Sequence, residues 1–429
     1  MSPATPLSGL SPGPATAARQ DDSARLLRPD LDRAPRLICL TGATGFIGST
    51  ILRELNRWRN DEGATGHTRI RAISRRLPAA AAALADEWVP AELSEPSTLR
   101  GVCRDADVLL HAASSLDADP ARCAAVNVRG TAALMLEAER AGTSRIVHLS
   151  TAAVYGAGPH RGIAVNEVEP APVSAPSRTR LGGETYALDA GATVLRPGLV
   201  LGQGDRWVAP AYARLVAAVP ALWGGGQGLH SVVAVEDLAR LIAHIGFRGG
   251  LAEGRLWHAS HPEPVRTVDL LRTLTEHRVL PPVSGDMAWS ECMARLRSSG
   301  STVSERTFSL LTRDHWYDSR DVWTASGCHP GPGTLNRLAQ AAPWYRSQLG
   351  LEKHGKPEEL TARNPALPLP ARRRTRPATA SPTVTGPPTD AGAAGLEDAR
   401  QCAVLPRAPL WRPALDDTPP FADSTARRS

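Results

Sequence analysis

The sequence predicts an α/β chain: a doubly wound parallel sheet with a smaller lobe in its C-terminal part and disordered segments at both ends. Three observations predict it. Short apolar runs of strand type alternate with helical stretches from Leu37 onward. The first run opens into a glycine-rich turn and then an amphipathic stretch, the order that a nucleotide-binding loop requires. Residues 1–34 and 351–429 are rich in Pro, Ala, Ser, Gly or Arg, with no sustained hydrophobic period. Such segments bury too little apolar surface to offset their ordering entropy.

The expected organisation follows. A nucleotide-binding unit spans 35–200, and 201–350 forms mainly a substrate lobe with some elements returning to the first unit. The formal charge is +6, yet only two of the 49 basic residues are lysines, Lys353 and Lys356, both in the tail. An Arg cluster at 372–374 and 376 suits a solvated tail better than a nucleic-acid contact. The six cysteines (39, 103, 123, 292, 328, 402) show no metal-ligand spacing. No metal site is therefore expected, and a reduced, cytoplasmic setting is. No apolar run reaches the roughly 18 residues of a membrane span.

Leu37-Ile38-Cys39-Leu40 reads as the first strand, Thr41-Gly42-Ala43-Thr44-Gly45-Phe46-Ile47-Gly48 as the loop, and 49–59 as its helix. Glycines are needed there because the backbone turns tightly, approaches a pyrophosphate, and lets helix pack on strand. The free N–H groups at the helix start then face the phosphates. The second strand, Arg69–Ser74, ends in Arg75-Arg76. An NAD site would be expected to offer a carboxylate for the ribose 2′-hydroxyl. Two guanidinium groups instead match the charge and forked geometry of a 2′-phosphate, so NADPH is the expected cofactor.

These motifs, with those downstream, resemble the extended short-chain dehydrogenase/reductase family of NAD(P)-dependent sugar epimerases, dehydratases and ketoreductases. The resemblance covers about 35–350 and implies a Rossmann-type fold. Thr41–Gly48 is its glycine loop, and Glu92-Leu93 stands where the family usually has an Asp-Leu near the adenine. Asp107–Ala113 looks like the fourth strand, with Ala112 and Ala113 along the cofactor. Asn127 begins the next helix, and His148–Gly156 looks like the fifth strand and its hydroxyl loop, with Ser150 at the cofactor. Leu195-Arg196-Pro197-Gly198 matches the sixth strand, with Pro197 at the cofactor, and 232–237 matches a C-terminal interface segment. The family's pairing through two helices implies a homodimer, with 97–104 and 120–140 as candidate stretches.

The resemblance makes Thr151 the hydroxyl that hydrogen-bonds the substrate carbonyl. Ala152-Ala153 replaces the Asp-Glu pair of the dehydratase branch, which argues against dehydration. In Ser174–Glu184, Pro176 and Arg180 fall where the family has its catalytic tyrosine and lysine. None of the five tyrosines begins a YxxxK, and 35–350 holds no lysine to replace the missing one. Arg180 is expected to bind ribose hydroxyls in the lysine's place, although a guanidinium releases no proton readily. Tyr155 and Thr151 are expected to assist protonation.

The expected function is reduction of a small-molecule ketone by NADPH, with the proton coming from the substrate's own acidic hydroxyl. The Ala- and Arg-rich composition is that of a GC-rich genome, and by analogy with natural-product tailoring an aromatic polyketide-type ketone is the expected substrate. Two other classes stay open: a sugar-nucleotide epimerase or 4-ketoreductase, and a non-catalytic NAD(P)-binding regulator.

Overall fold

Leu37–Thr41 forms β1, and all five of its residues are buried, as expected for a strand covered on both faces. The computed structural model describes residues 37–61, 68–76 and 78–351. The ends expected to be disordered, 1–34 and all but Leu351 of 351–429, lie outside the described residues.

From β1 the chain enters α1 (Phe46–Asp61), β2 (Arg69–Ser74), the short α2 (Ala79–Ala82) and β3 (Glu87–Pro90). β4 (Val108–His111) leads through α3 (Pro120–Ala124) and a π-helical segment (Ala125–Gly130) into α4 (Thr131–Ala141) and β5 (Arg145–Leu149). A 3-10 turn (Ala152–Tyr155), β6 (His160–Ile163), α5 (Ala175–Asp189), β7 (Thr193–Arg196) and β8 (Leu199–Leu201) follow. Then come α6 (Val208–Ala218), β9 (Leu222–Trp223), β10 (Leu229–His230), β11 (Val232–Ala234), α7 (Val235–Arg248) and β12 (Leu256–His258). β13 (Val265–Arg266), α8 (Thr267–Glu276), β14 (Asp286–Met287), α9 (Trp289–Ser298) and α10 (Glu305–Thr312) precede β15 (His315–Tyr317), α11 (Arg320–Ser326) and α12 (Thr334–Gln348).

The main sheet has seven parallel strands in the order β12-β7-β5-β4-β1-β2-β3. The order reverses at β1/β4, the switch point where doubly wound folds bind their ligands. One apolar layer covers the α1/α7 face, including Ile51, Leu55, Ile242 and Phe247. A second covers the α4/α5 face, including Leu134, Met135 and Ala187. The C-terminal part has its own core among α6, α8, α9, α10 and α12. The elements that return from it are α7, whose Phe247 stacks on Trp58 of α1 at 5.5 Å, and β12, which extends the main sheet.

α5 carries the position where a tyrosine was expected. Its start is set by a reciprocal cap, with Ser174 accepting from the Ser177 N–H and the Ser177 hydroxyl accepting from the Ser174 N–H. Pro176 therefore sits in the first turn, where its missing N–H is not needed. Further along, a Cβ on Gly183 would lie 2.2 Å from the Asn127 carbonyl oxygen, so only glycine lets α5 approach the π-helical segment this closely.

Candidate functional site

The glycine loop closes the carboxyl end of β1. Gly42 has φ +74°, and a Cβ there would lie 2.7 Å from the Ala113 nitrogen, so glycine is required both by the turn and by the neighbouring β4 loop. A Cβ on Gly48 would lie 2.0 Å from the Gly42 carbonyl oxygen, which ties the α1 start to the turn. Gly45 differs: its added Cβ meets only the Gly42 oxygen, at 3.3 Å, and otherwise faces open space. Thr44 and Gly45 are exposed, and the 16-residue helix starts directly behind them with the half-buried Phe46 and Ile47. This open cradle fits a pyrophosphate.

Arg75 and Arg76 stand exposed at the end of β2. Arg75 Nε lies 3.2 Å from the Glu92 carboxylate, so the structure brings those two predicted residues together. Leu93 packs under Gly130, where a Cβ would lie 2.4 Å from the Leu93 carbonyl oxygen. Ala112 and Ala113 are half-buried beside the glycine turn, with the Ala113 N–H donating to Thr41 Oγ1 at 3.3 Å.

Asn127, expected at the cofactor, supports the loop after β4. It is buried, its Oδ1 accepts from the Ser115 N–H at 2.7 Å, and its Nδ2 donates to the Ser115 carbonyl at 2.9 Å and to Thr179 Oγ1 at 3.0 Å. Its amide thus clamps the loop after β4. Pro197 is also buried, with its carbonyl accepting from the Ala152 N–H at 2.8 Å. Ser150 is fully buried and donates its hydroxyl to Glu184, so its side chain is committed to a neighbouring carboxylate.

Thr151 follows at the start of the 3-10 turn, half-buried. Its Oγ1 accepts from the Ala153 N–H at 3.2 Å, which leaves the hydroxyl proton for a ligand oxygen. Arg180 reaches the same corner from α5. Its Nη2 donates to the Leu149 and Ser150 carbonyls at 3.0 and 2.6 Å, and its Nε is buried without a partner among the described residues. Burial pushes the guanidinium down to about 10, against the pull of Glu184. Arg180 therefore braces the carboxyl end of β5.

Tyr155 requires the largest correction. Expected to assist protonation, it is only 2% exposed, and its phenol belongs to a buried chain. Arg196 forms an ion pair with Glu184, with Nε 3.0 Å from Oε1, and donates through Nη1 to the Tyr155 oxygen at 2.9 Å. That oxygen lies 2.7 Å from His258 Nε2, while His258 Nδ1 faces the Asp318 carbonyl at 3.1 Å. A carbonyl only accepts, so Nδ1 carries the proton and the phenol donates to Nε2. Burial raises the phenol's pKa, against the pull of Arg196.

Beneath Arg180 lie His111 and His148, partners on β4 and β5 with rings 5.0 Å apart. His111 bridges Thr41 Oγ1 at 2.7 Å and Thr131 Oγ1 at 3.0 Å. His148 is buried with neither ring nitrogen partnered among the described residues. Burial holds His111 down at about 4 and His148 well below the usual histidine range.

A doubly wound sheet with this loop at its switch point defines a dinucleotide-binding α/β protein. Residues 38–248 match the NAD dependent epimerase/dehydratase family, and that part of the chain belongs to it. A stretch of 125 residues is 35% identical to sterol demethylase protein B of Methylococcus capsulatus, taking in 28% of this chain and 36% of that protein. The matched stretch thus spans about a third of that relative's length. MoeE5, solved with UDP-glucose and NAD, is 21% identical at a TM-score of 0.54, covering 73% of this chain and 99% of its own. DesIV, a dTDP-glucose 4,6-dehydratase from Streptomyces venezuelae with NAD and TYD bound, is 21% identical at 0.56, covering 73% and 98%. The UDP-glucose 4-epimerase of Thermotoga maritima with UDP-glucose is 17% identical at 0.57, covering 73% and 99%. These likenesses carry the Rossmann fold, and with the family they support an NAD(P) cofactor. No described helix is long and apolar enough to cross a membrane.

Proposed function

We propose that the chain is an NADPH-dependent ketoreductase acting on a lipophilic, hydroxylated aromatic ketone. The observation that carries this reading is an open nucleotide cradle in a chain whose Thr151 keeps a free hydroxyl proton, while the usual acid and its lysine are replaced by Pro176 and a committed Arg180. When bound, the reduced nicotinamide supplies a hydride. The chain's own part is to hold the dinucleotide on the α1 start and to polarise the carbonyl through Thr151. The proton for the resulting alkoxide comes from the substrate's neighbouring hydroxyl.

Magnitudes favour this division. Losing a general acid costs about 10²–10⁴ in rate, roughly 3–5 kcal/mol. Orienting two reactants contributes about 7–11 kcal/mol. A site that still aligns them keeps the larger contribution. NADPH rather than NADH is supported by Arg75 and Arg76 at the β2 end. The exposed Arg75–Glu92 pair is of a kind worth about 0–1 kcal/mol, so a 2′-phosphate displaces the carboxylate at little cost.

Five large apolar side chains are exposed among the described residues, and we assign three of them, Leu116 after β4, Val173 before α5 and Trp207 before α6, to the substrate. A relative named for sterols accords with a polycyclic, apolar substrate. The test is NADPH consumption by the purified chain across a panel of hydroxylated aromatic ketones, with Thr151→Val as the control. The variant is expected to bind NADPH as before and to turn over about 10²-fold more slowly. NADPH binding with no consumption on any ketone supports the regulator reading instead.

A further inference from the structure

The hydroxyl proposed to polarise the substrate stands on a short turn, and something must fix that turn. Its start is held by main chain: the Ser150 N–H donates to the Leu195 carbonyl at 2.7 Å and the Ala152 N–H to the Pro197 carbonyl at 2.8 Å. Its far end is Tyr155, followed by Gly156 at φ +86°, where the chain turns away. Tyr155 closes the 3-10 turn, and its backbone also meets the His160 side chain. Its ring is held through the phenol, gripped by Arg196 Nη1 on one side and His258 Nε2 on the other.

We infer that His258 is a positioning residue for Thr151, acting through the Tyr155 hydroxyl. This rests on the reductase reading in taking Thr151 as the group that meets the substrate, but the mechanical part stands apart from it. His258 comes from β12, 103 residues from Tyr155 in sequence, and is itself buried. Its tautomer is fixed by the Asp318 carbonyl at Nδ1, so Nε2 offers a lone pair only. Arg196 offers only donors. The phenol oxygen therefore has one proton to give and one direction in which to give it, and the Tyr155 ring is set in a single orientation. Tyr317, stacked on the same ring at 5.3 Å, restricts it further.

The chain continues past Arg196. The guanidinium pairs with Glu184 of α5, and Glu184 accepts from Ser150, the residue next to Thr151. Both ends of the turn are thus fastened to one buried network, the near end through Ser150 and the far end through Tyr155. Arg180, donating to the Ser150 carbonyl from the same helix, adds a second brace at the near end. Without the His258 lone pair, the phenol proton is left unmatched beside a guanidinium, in a place where water does not reach easily. The ring then has reason to rotate, and the turn has reason to move with it.

Three full-length variants test this with NADPH present. His258→Phe removes the acceptor, Tyr155→Phe removes one oxygen and keeps the stack on Tyr317, and His258→Gln returns an acceptor near the Nε2 position. Hydrogen exchange of amides 150–157 is expected to rise about tenfold in the two Phe variants, the scale of one lost buried hydrogen bond. Exchange in β1 and β2 and the NADPH Kd stay within about twofold of wild type, and His258→Gln restores protection. Turnover of a ketone substrate falls about tenfold in the same two variants and recovers in His258→Gln. Should His258→Phe fail to fold, Tyr155→Phe decides alone. Unchanged exchange at 150–157 in Tyr155→Phe, or loosening spread evenly over the main sheet, overturns the inference. Absence of turnover in the wild type counts against the reductase reading only, because the exchange result still stands.

Discussion

The glycine loop and the Thr151 corner lie at the carboxyl ends of neighbouring parts of one sheet, yet they are built in opposite ways. The loop is open: Thr44 and Gly45 are exposed, and Gly45 faces free space. The corner is closed: Ser150, Tyr155, Glu184, Arg196 and His258 are all buried and bonded to one another or to main chain. In the first region the chain leaves groups free for a ligand. In the second most polar groups are committed to the chain itself, while the Thr151 proton stays free and half-buried and Arg180 Nε is buried without a partner among the described residues. A site so arranged can still hold and orient, but it has little left with which to move protons.

Substitutions separate the two regions. The largest expected effect is in the closed corner: Arg196→Met leaves Glu184 buried and unpaired, and breaking such a pair costs about 3–5 kcal/mol. Urea unfolding measures it, and NADPH affinity of the folded fraction should change little.

Acid should act on buried histidines of the closed corner, of the main sheet and of the C-terminal part. Burial holds His111 and His258 at about 4 and His230 at about 3, below the unfolded value near 6.5. The unfolded chain therefore binds more protons in that window. The stability is fully present above about pH 6.5 and is lost as pH falls towards about 4. Unfolding at pH 5 should take up protons, by roughly one for each of these histidines. A flat stability profile between pH 7 and 5 would break the contrast.

In the open region, effects fall on binding and spare stability. Arg75→Ala with Arg76→Ala is expected to weaken NADPH by about 1.5–3 kcal/mol, roughly ten- to a hundredfold, and to leave NADH nearly unchanged. Titration of both nucleotides measures the ratio. The smallest effect on the fold is expected from Gly45→Ala, whose added methyl group touches only the Gly42 oxygen. Its melting temperature should stay within about 2 °C while nucleotide affinity drops, because the methyl occupies the phosphate approach.

The same contrast explains what the sequence disclosed. The glycine loop is local: a strand, a turn and a helix contiguous from Leu37 to Asp61, each with its own composition rule. The doubly wound, parallel character of the main sheet followed from the alternation of strands and helices. The helix after the loop begins at Phe46, earlier than position 49, because Phe46 and Ile47 already belong to it. Asn127, Ser150 and Tyr155 were expected at the cofactor or the substrate, and in the structure each spends its side chain on neighbouring protein groups. Motif spacing locates a residue along the chain and carries no information about which way its side chain turns. His258 was not singled out at all, since its partner lies 103 residues away and a lone histidine ending a short strand has no pattern. The one local hint was Arg196 and Glu184, both noted as motif residues, which a buried strand and a glycine-rich helix would bring together as charges needing partners. Trp207 stands apart: most of the tryptophans in 201–350 are buried or half-buried, whereas it is 63% exposed.

The central claim is that orientation by this chain suffices when the substrate brings its own acid. The direct measurement compares NADPH consumption with an aromatic ketone bearing a hydroxyl beside the carbonyl and with the methyl ether of the same compound. The account predicts turnover of the first and a loss of about 10²–10⁴-fold for the second, the range of general acid catalysis. Equal rates for the two ketones would contradict it.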